Sequence, residues 1–248
     1  NETINDFKPH VVINAAAYTA VDNAESEEKI AFSINCDGPK YLAKAVNTYG
    51  GALIHISTDY VFEGCKSGEY SESDPVNPQG IYGKSKLAGE EVVRENCEKH
   101  IILRTAWVFG EHGNNFVKTM LRLGQERESI GIVGDQFGGP TYAGDIVNAI
   151  IKIINKIEDS DEVCWGTYHY SGLPYVSWFE FAQNIFTKAK EIGLIENIPK
   201  LTSIATKEFP TPAKRPKNSK LNCEVIENKF CIKPSNWMEE LNNINSYN

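Results

Sequence analysis

Three short and almost uninterrupted apolar runs constrain this chain more than any other feature: His10-Val-Val-Ile-Asn14 running into Ala15-Ala-Ala17, Ala52-Leu-Ile-His-Ile-Ser57, and His100-Ile-Ile-Leu-Arg-Thr105. Strands that stay apolar on both faces need cover from both sides, and parallel strands joined by crossover helices provide it. Helix-forming segments lie between the runs. Glu25 to Tyr49 carries helical periodicity and stops at Gly50-Gly51, and Tyr82 to Cys97 is rich in helix formers. Glu63 to Gly80, with its glycines, serines and prolines, is a long loop. The expected fold is therefore α/β, a Rossmann-like doubly wound parallel sheet with ligands at the carboxyl ends of its strands. Ala15 to Thr19, Thr58 to Phe62 and Trp107 to Gly110 fall at such ends.

Beyond Gly110 the pattern changes. Asn115 to Glu126 reads as a helix, Ile130 to Val133 as a short strand, Gly144 to Lys156 as an amphipathic helix, and Val163 to Tyr170 as a last strand. Ser177 to Ile192 is a helix whose Trp178, Phe179, Phe181 and Phe186 read as core. A loop rich in Pro and Lys from Lys207 to Asn218 precedes short C-terminal helices. This divides the chain into a sheet domain at 1–110, completed by 132–170, and a smaller C-terminal α/β domain made of 111–131 and 171–248.

A chain of 248 residues with 41% hydrophobic side chains can bury a substantial core. Its net charge of -8 argues against broad nucleic-acid binding while allowing a local basic pocket. No apolar run nears the roughly 20 residues a membrane span needs, and the first residues are no signal peptide, so a cytoplasmic, membrane-free protein is expected. The six cysteines form no Cys-x-x-Cys pair and the five histidines no cluster with metal spacing. Reduced, structural thiols and no metal site follow, and His55, inside a strand pattern, reads as a packed side chain.

The chemistry concentrates at Thr58, just past a strand, and at Tyr82 and Lys86, which sit four apart on a helix and so share one face. An ammonium within about 4 to 6 Å lowers a phenol pKa by roughly 1 to 3 units, so Lys86 is expected to tune Tyr82 toward ionisation. Tyr82 can then give a proton to a developing alkoxide while the Thr58 hydroxyl bonds the same oxygen. The hydride must come from a cofactor. Tyr-x-x-x-Lys alone is also a common accident on surface helices.

Five segments add context: Asn14-Ala-Ala-Ala-Tyr-Thr-Ala-Val-Asp-Asn-Ala-Glu25, Ser57-Thr-Asp-Tyr-Val-Phe62, Tyr82-Gly-Lys-Ser-Lys-Leu-Ala-Gly-Glu90, Arg104-Thr-Ala-Trp107 and Arg215-Pro-Lys-Asn-Ser-Lys-Leu221. Together, and in order, they resemble the dTDP-4-dehydrorhamnose reductases, a family of extended short-chain dehydrogenases. The resemblance implies reduction of the 4-keto group of dTDP-4-dehydro-L-rhamnose by NADPH or NADH, giving dTDP-L-rhamnose for cell-surface polysaccharide. It makes Tyr82 the general acid, Lys86 its tuner and a ribose contact, and Thr58 the carbonyl polariser. Ala16, Ala17 and Thr19 are the implied cofactor-lining positions, with Ser57 beside the nicotinamide. Asp59, Tyr60 and Trp107 are the implied sugar contacts, Arg215 and Asn218 lie in the implied diphosphate loop, and Asn115 is a further candidate for substrate. The smaller domain becomes the sugar-nucleotide domain, and a homodimer is the candidate assembly.

The family pattern opens with a strand, a Gly-x-x-Gly-x-x-Gly turn and a helix whose N-terminus takes the pyrophosphate. These 248 residues hold no such turn, so the expectation is a segment of a longer protein, with the choice between NADPH and NADH made by residues outside it. Two rivals stand beside the reductase. A dehydratase or epimerase of the same superfamily is one, although Thr58 is followed by Asp59-Tyr60 rather than the Asp-Glu pair that elimination uses. A non-catalytic regulatory subunit with the same fold is the other.

Overall fold

The computed structural model describes residues 2–160 and 162–247. In chain order the strands are β1 (Val11–Asn14), β2 (Ala52–Thr58), β3 (His100–Thr105), β4 (Val108–Phe109), β5 (Ser129–Val133), β6 (Phe137–Gly138), β7 (Thr141–Tyr142), β8 (Gly166–His169), β9 (Val176–Ser177), β10 (Lys200–Ile204) and β11 (Asn218–Ser219). The α-helices are α1 (Glu2–Phe7), α2 (Val21–Ala24), α3 (Glu28–Phe32), α4 (Gly38–Thr48), α5 (Ile81–Asn96), α6 (Phe116–Glu126), α7 (Ala143–Asp159), α8 (Trp178–Glu191), α9 (Glu224–Phe230) and α10 (Trp237–Glu240).

The three apolar runs become adjacent parallel strands. The principal sheet has the order β1-β2-β3-β8, all parallel, with Ile54 opposite both Ile13 and Ile101. On one face Leu53 and Ile102 pack with Ala43 and Val46 of α4 and Val93 of α5. On the other, Ile54, Ile101 and Leu103 meet Ile146, Ile150 and Ile153 of α7 and Ile226 of α9. Cover on both faces is what strands without polar alternation require. Each fully buried Ile or Leu contributes about 1.5 to 3 kcal/mol.

The helix expected over Glu25 to Tyr49 is broken into α3, a π-helical turn at Ser33–Asp37, and α4, with the short α2 standing before it. The reason is Asn35. Its buried amide accepts from the Tyr18 backbone N–H (2.8 Å) and donates to the Tyr18 carbonyl (3.1 Å) and Ser85 Oγ (3.0 Å). Drawing one polar side chain inward to satisfy the loop after β1 is what the widened turn accomplishes.

The smaller lobe holds two short sheets, β5 with β10, and β11-β6-β9, around a core of Phe109, Val117, Met120, Ile130, Ile132, Phe181, Phe186 and Trp237. The boundary expected at 131/132 falls inside β5. Because β5 pairs with β10 and buries both Ile130 and Ile132 in this core, the whole strand lies with the smaller lobe. Helix α8 starts with a capping box in which Ser177 and Glu180 each bond the other's backbone N–H. Among the described residues no helix is long and apolar enough to cross a membrane. All six cysteines are free, but only Cys97 and Cys223 are buried; Cys65, Cys164 and Cys231 are exposed and fill no core position.

Candidate active site

Helix α5 places two of the three expected catalytic side chains. Its start is fixed from outside the helix, since Glu25 Oε1 accepts the Ile81 N–H at 2.9 Å. Its first turn presses against the turn after β2: a Cβ on Gly83 would lie 2.3 Å from the Tyr60 carbonyl oxygen, so only glycine permits the approach. Tyr82 and, one turn later, Lys86 therefore face the carboxyl end of β2, where Thr58 sits.

Lys86 is 2% exposed and its Nζ donates to the Ile56 carbonyl at 2.6 Å. Burial pushes its pKa down to about 8, against the opposing charge of Glu90. The tuning expected from sequence is corrected here. Burial raises the Tyr82 phenol well above its ordinary range, the nearby Thr58 hydroxyl offsets only part of this, and the neighbouring Asp59 charge raises it further. Lys86, engaged with Ile56, is not among the groups that lower it. Spacing on a helix guarantees that two side chains share a face, but not that the ammonium aims at the phenol. Tyr82 is held protonated, which suits a proton donor.

Below these residues lies a buried ionic layer that the sequence reading did not single out. Glu90, one turn beyond Lys86, accepts from Ser57 Oγ (2.6 Å), from Arg104 Nε (2.8 Å) and Nη2 (2.6 Å), and from Arg94 Nη1 (3.2 Å). Burial alone would raise the Glu90 carboxyl; the bonds and charge of Arg104, then Ser57, hold it below its ordinary value. The Arg104 guanidinium also lies 5.1 Å from the Phe62 ring centroid, within cation–π range. The layer pins α5 to β2 and β3 directly beneath Thr58. The i, i+4 spacing of Lys86 and Glu90 was the available signal. His55 is packed as expected, with Nδ1 3.0 Å from Asn14 Nδ2.

Thr58 Oγ1 donates to Asp59 Oδ1 at 3.1 Å and accepts the Tyr60 N–H at 3.2 Å. Burial pushes the Asp59 carboxyl up to about 6, tempered by Ser219 and Thr58. The Tyr60 and Tyr82 rings meet edge to face, 5.4 Å between centroids. Tyr60 leads into a cavity of about 440 Å³ between the lobes, lined among others by Trp107, Trp178, Gln136 and Arg215. That volume is within the range of small-molecule sites.

Two tryptophans form one wall. Trp107 and Trp178 stack at 3.5 Å between centroids and 9° between planes. Trp107 adopts φ 50°, a left-handed conformation that strains a bulky residue by about 1 to 3 kcal/mol. It lies so close to Gly138 that a Cβ there would be 2.6 Å from the indole. Trp178, at the start of α8, packs against the core of the smaller lobe as expected and also lines this cavity, while Phe181 and Phe186 one and two turns later are fully buried. Arg215 donates from Nη2 to Asp22 Oδ2 at 2.6 Å and from Nη1 to the Tyr60 hydroxyl at 3.0 Å.

Of the remaining expected site residues, Ala16, Ala17 and Thr19 follow the end of β1, with Ala16 and Thr19 exposed and Ala17 half-buried. Asn115 and Asn218 do not line the cavity. Asn115 is the N-cap of α6, accepting from the Lys118 N–H (3.2 Å) and donating to the Gly110 carbonyl (2.7 Å). Asn218 Nδ2 donates to the carbonyls of Lys66 (2.8 Å) and Gly68 (2.6 Å), closing the loop after β2. Both amides are spent on backbone, which their position in loops next to a helix start and a short strand makes chemically ordinary.

A family model described as the RmlD substrate binding domain matches residues 1–247. A dTDP-4-dehydrorhamnose reductase of Aggregatibacter actinomycetemcomitans is 51% identical over 244 residues, 98% of this chain and 83% of that protein. One of Escherichia coli K12 is 41% identical over 236 residues, covering 95% and 79%. The crystal structure of a dTDP-4-dehydrorhamnose reductase from Bacillus anthracis in complex with NADP superposes with a TM-score of 0.89 at 42% identity, over 98% of this chain and 82% of that one. With its sheet order, its Thr58, Tyr82 and Lys86 at one strand end and this similarity over nearly its full length, the chain belongs to the RmlD family, among the dTDP-4-dehydrorhamnose reductases.

Proposed function

We propose that this chain reduces the 4-keto group of dTDP-4-dehydro-L-rhamnose to give dTDP-L-rhamnose, using NADPH or NADH, in the making of cell-surface polysaccharide. The observation that carries the reading is that Thr58, at the carboxyl end of β2, comes together with Tyr82 and buried Lys86 on the first turns of α5, next to Tyr60 at the edge of a cavity that holds Arg215.

The residues present fit the nicotinamide end of a dinucleotide. Three small residues, Ala15 to Ala17, leave the backbone after β1 open to close approach, and Ala15 and Ala16 are exposed. Lys86 has a single carbonyl partner among its three donors. Ala16, Ala17, Thr19 and Ser57 would line the cofactor, and Lys86 would hold its ribose. When bound, the reduced nicotinamide supplies the hydride. In this reading the sheet lobe takes the dinucleotide and the smaller lobe the sugar nucleotide.

Thr58 and Tyr82 would both bond the keto oxygen. As negative charge develops there, Tyr82 transfers its phenolic proton, which burial has kept in place, and the alcohol forms. The desolvated Lys86 ammonium favours the phenolate left behind once its own site is shared with the ribose and the phenol. Asp59 and Tyr60 would hold the sugar hydroxyls, Trp107 would offer its indole to the ring face, and Arg215 would clamp the diphosphate.

Reduced cofactor deuterated on the transferring face of nicotinamide C4 tests this directly. One deuterium at C4 of the sugar, with oxidised cofactor released after each turnover, is expected. An unlabelled sugar, or cofactor retained through many turnovers as in an epimerase, would overturn it.

A further inference from the structure

Arg215 is held in place by Asp22 and Tyr60. Arg215 belongs to the loop after β10, which approaches the site from the smaller lobe, whereas Asp22 lies in α2, the short helix after the small-residue loop of β1. The two meet across the cavity. Asp22 Oδ2 takes Arg215 Nη2 at 2.6 Å, and Asp22 Oδ1 takes the Ala213 N–H at 3.1 Å, so one carboxylate holds both the guanidinium and the backbone that carries it. The third partner is the Tyr60 hydroxyl, which accepts from Nη1 at 3.0 Å, and the Tyr60 ring packs edge-on to Tyr82.

A guanidinium has five N–H donors. Asp22 and Tyr60 each take one, which leaves three for a ligand in the cavity that Asp22, Tyr60 and Arg215 all line. Without Asp22 a four-torsion side chain, with a quarter of its surface exposed, would sample other rotamers. We propose that Asp22 is a positioning residue: it pre-organises Arg215 for the nucleotide diphosphate and ties the strand-end loop on the cofactor side to the loop on the substrate side. This rests on the proposed function, through Arg215 as the diphosphate contact.

If the competent rotamer falls from dominant to about one tenth, the apparent Kd rises about tenfold. Asp22→Asn is the discriminating change, because an amide oxygen keeps the bond to the Ala213 N–H while the charge on Arg215 is lost. Titration of dTDP into the full chain by calorimetry should show Kd raised about tenfold in Asp22→Asn, with most of the loss recovered in Asp22→Glu. In turnover, KM for the sugar nucleotide should rise by the same factor with kcat within about threefold. In an Arg215→Ala background, Asp22→Asn should add nothing, because its effect runs through the guanidinium. An unchanged dTDP affinity in Asp22→Asn, or the same loss with Arg215 already removed, would overturn the positioning role while leaving the reductase reading intact. A wild-type protein that binds no dTDP would overturn both.

Discussion

Replacing Lys86 by Met should stabilise the protein while inactivating it. Lys86 is 2% exposed, and its pKa is pushed from 10.5 down to about 8. A difference of about 2.5 units corresponds to about 3 kcal/mol by which burial disfavours the charged form. At pH 7 the side chain is charged in the folded protein, so that penalty is present in full. Met fills much the same volume without charge and forfeits the bond to the Ile56 carbonyl, worth about 1 kcal/mol. The net gain is about 2 kcal/mol, or a Tm higher by about 4 to 8 °C. The sign with pH follows from linkage. Between about 8 and 10.5 the unfolded chain binds more protons at this site than the folded one, so wild-type stability rises with pH across that window. Urea unfolding of both proteins at pH 7 and 9.5 should show Lys86→Met ahead at pH 7 and its lead shrinking at 9.5, where other titrating groups cancel in the difference. Its kcat should fall at least about a hundredfold. A variant less stable than wild type at pH 7, or a lead that does not change with pH, would refute the claim that a desolvated ammonium is held at this site.

Removing the partner of a buried guanidinium works the other way. Glu90→Leu leaves Arg104, 3% exposed, without its counter-charge and should lose about 3 to 5 kcal/mol, which calorimetry would register as a Tm lower by about 6 to 20 °C; a loss below about 1 kcal/mol would contradict the buried layer. Asp59 should produce an acid limb in kcat/KM near pH 6, because the carboxylate must be ionised to accept a sugar hydroxyl, and Asp59→Asn should flatten that limb. Asn115→Ala should cost about 1 kcal/mol as a lost N-cap and leave KM for the sugar nucleotide within about twofold of wild type. A tenfold rise in KM would instead return Asn115 to the substrate.

The parallel sheet and the strand-end site were legible in the sequence because both rest on local regularities. Apolar runs such as Ile101 to Leu103 are long enough to mark strands, and Thr58, Tyr82 and Lys86 occupy a strand end and one helix face whatever surrounds them. What escaped depends on contacts between distant segments. Asn35 opens a π-turn only because the Tyr18 backbone and Ser85 need its amide. β6, β9 and β11 are two residues each and exist as strands only through one another. Trp178 and Phe181 share a helix and an apolar pattern, yet Phe181 is wholly within the core while Trp178 packs on the core's edge and also lines a cavity, since the stripe's first turn overhangs the lobe boundary. The direction of the Tyr82 shift escaped for the same reason: periodicity reports which side chains are neighbours, while burial and the carbonyl of Ile56 decide where the ammonium points.

The central claim, that Tyr82 delivers the proton in a nicotinamide-dependent reduction, is tested most directly by following reduced-nicotinamide absorbance with dTDP-4-dehydro-L-rhamnose for wild type and Tyr82→Phe side by side. The account predicts sugar-nucleotide-dependent loss of absorbance in wild type and at least about a hundredfold slower loss in a Tyr82→Phe protein with unchanged circular dichroism and dTDP affinity. A near-normal rate in the phenylalanine variant, or no loss in folded wild type with either NADPH or NADH, would contradict it.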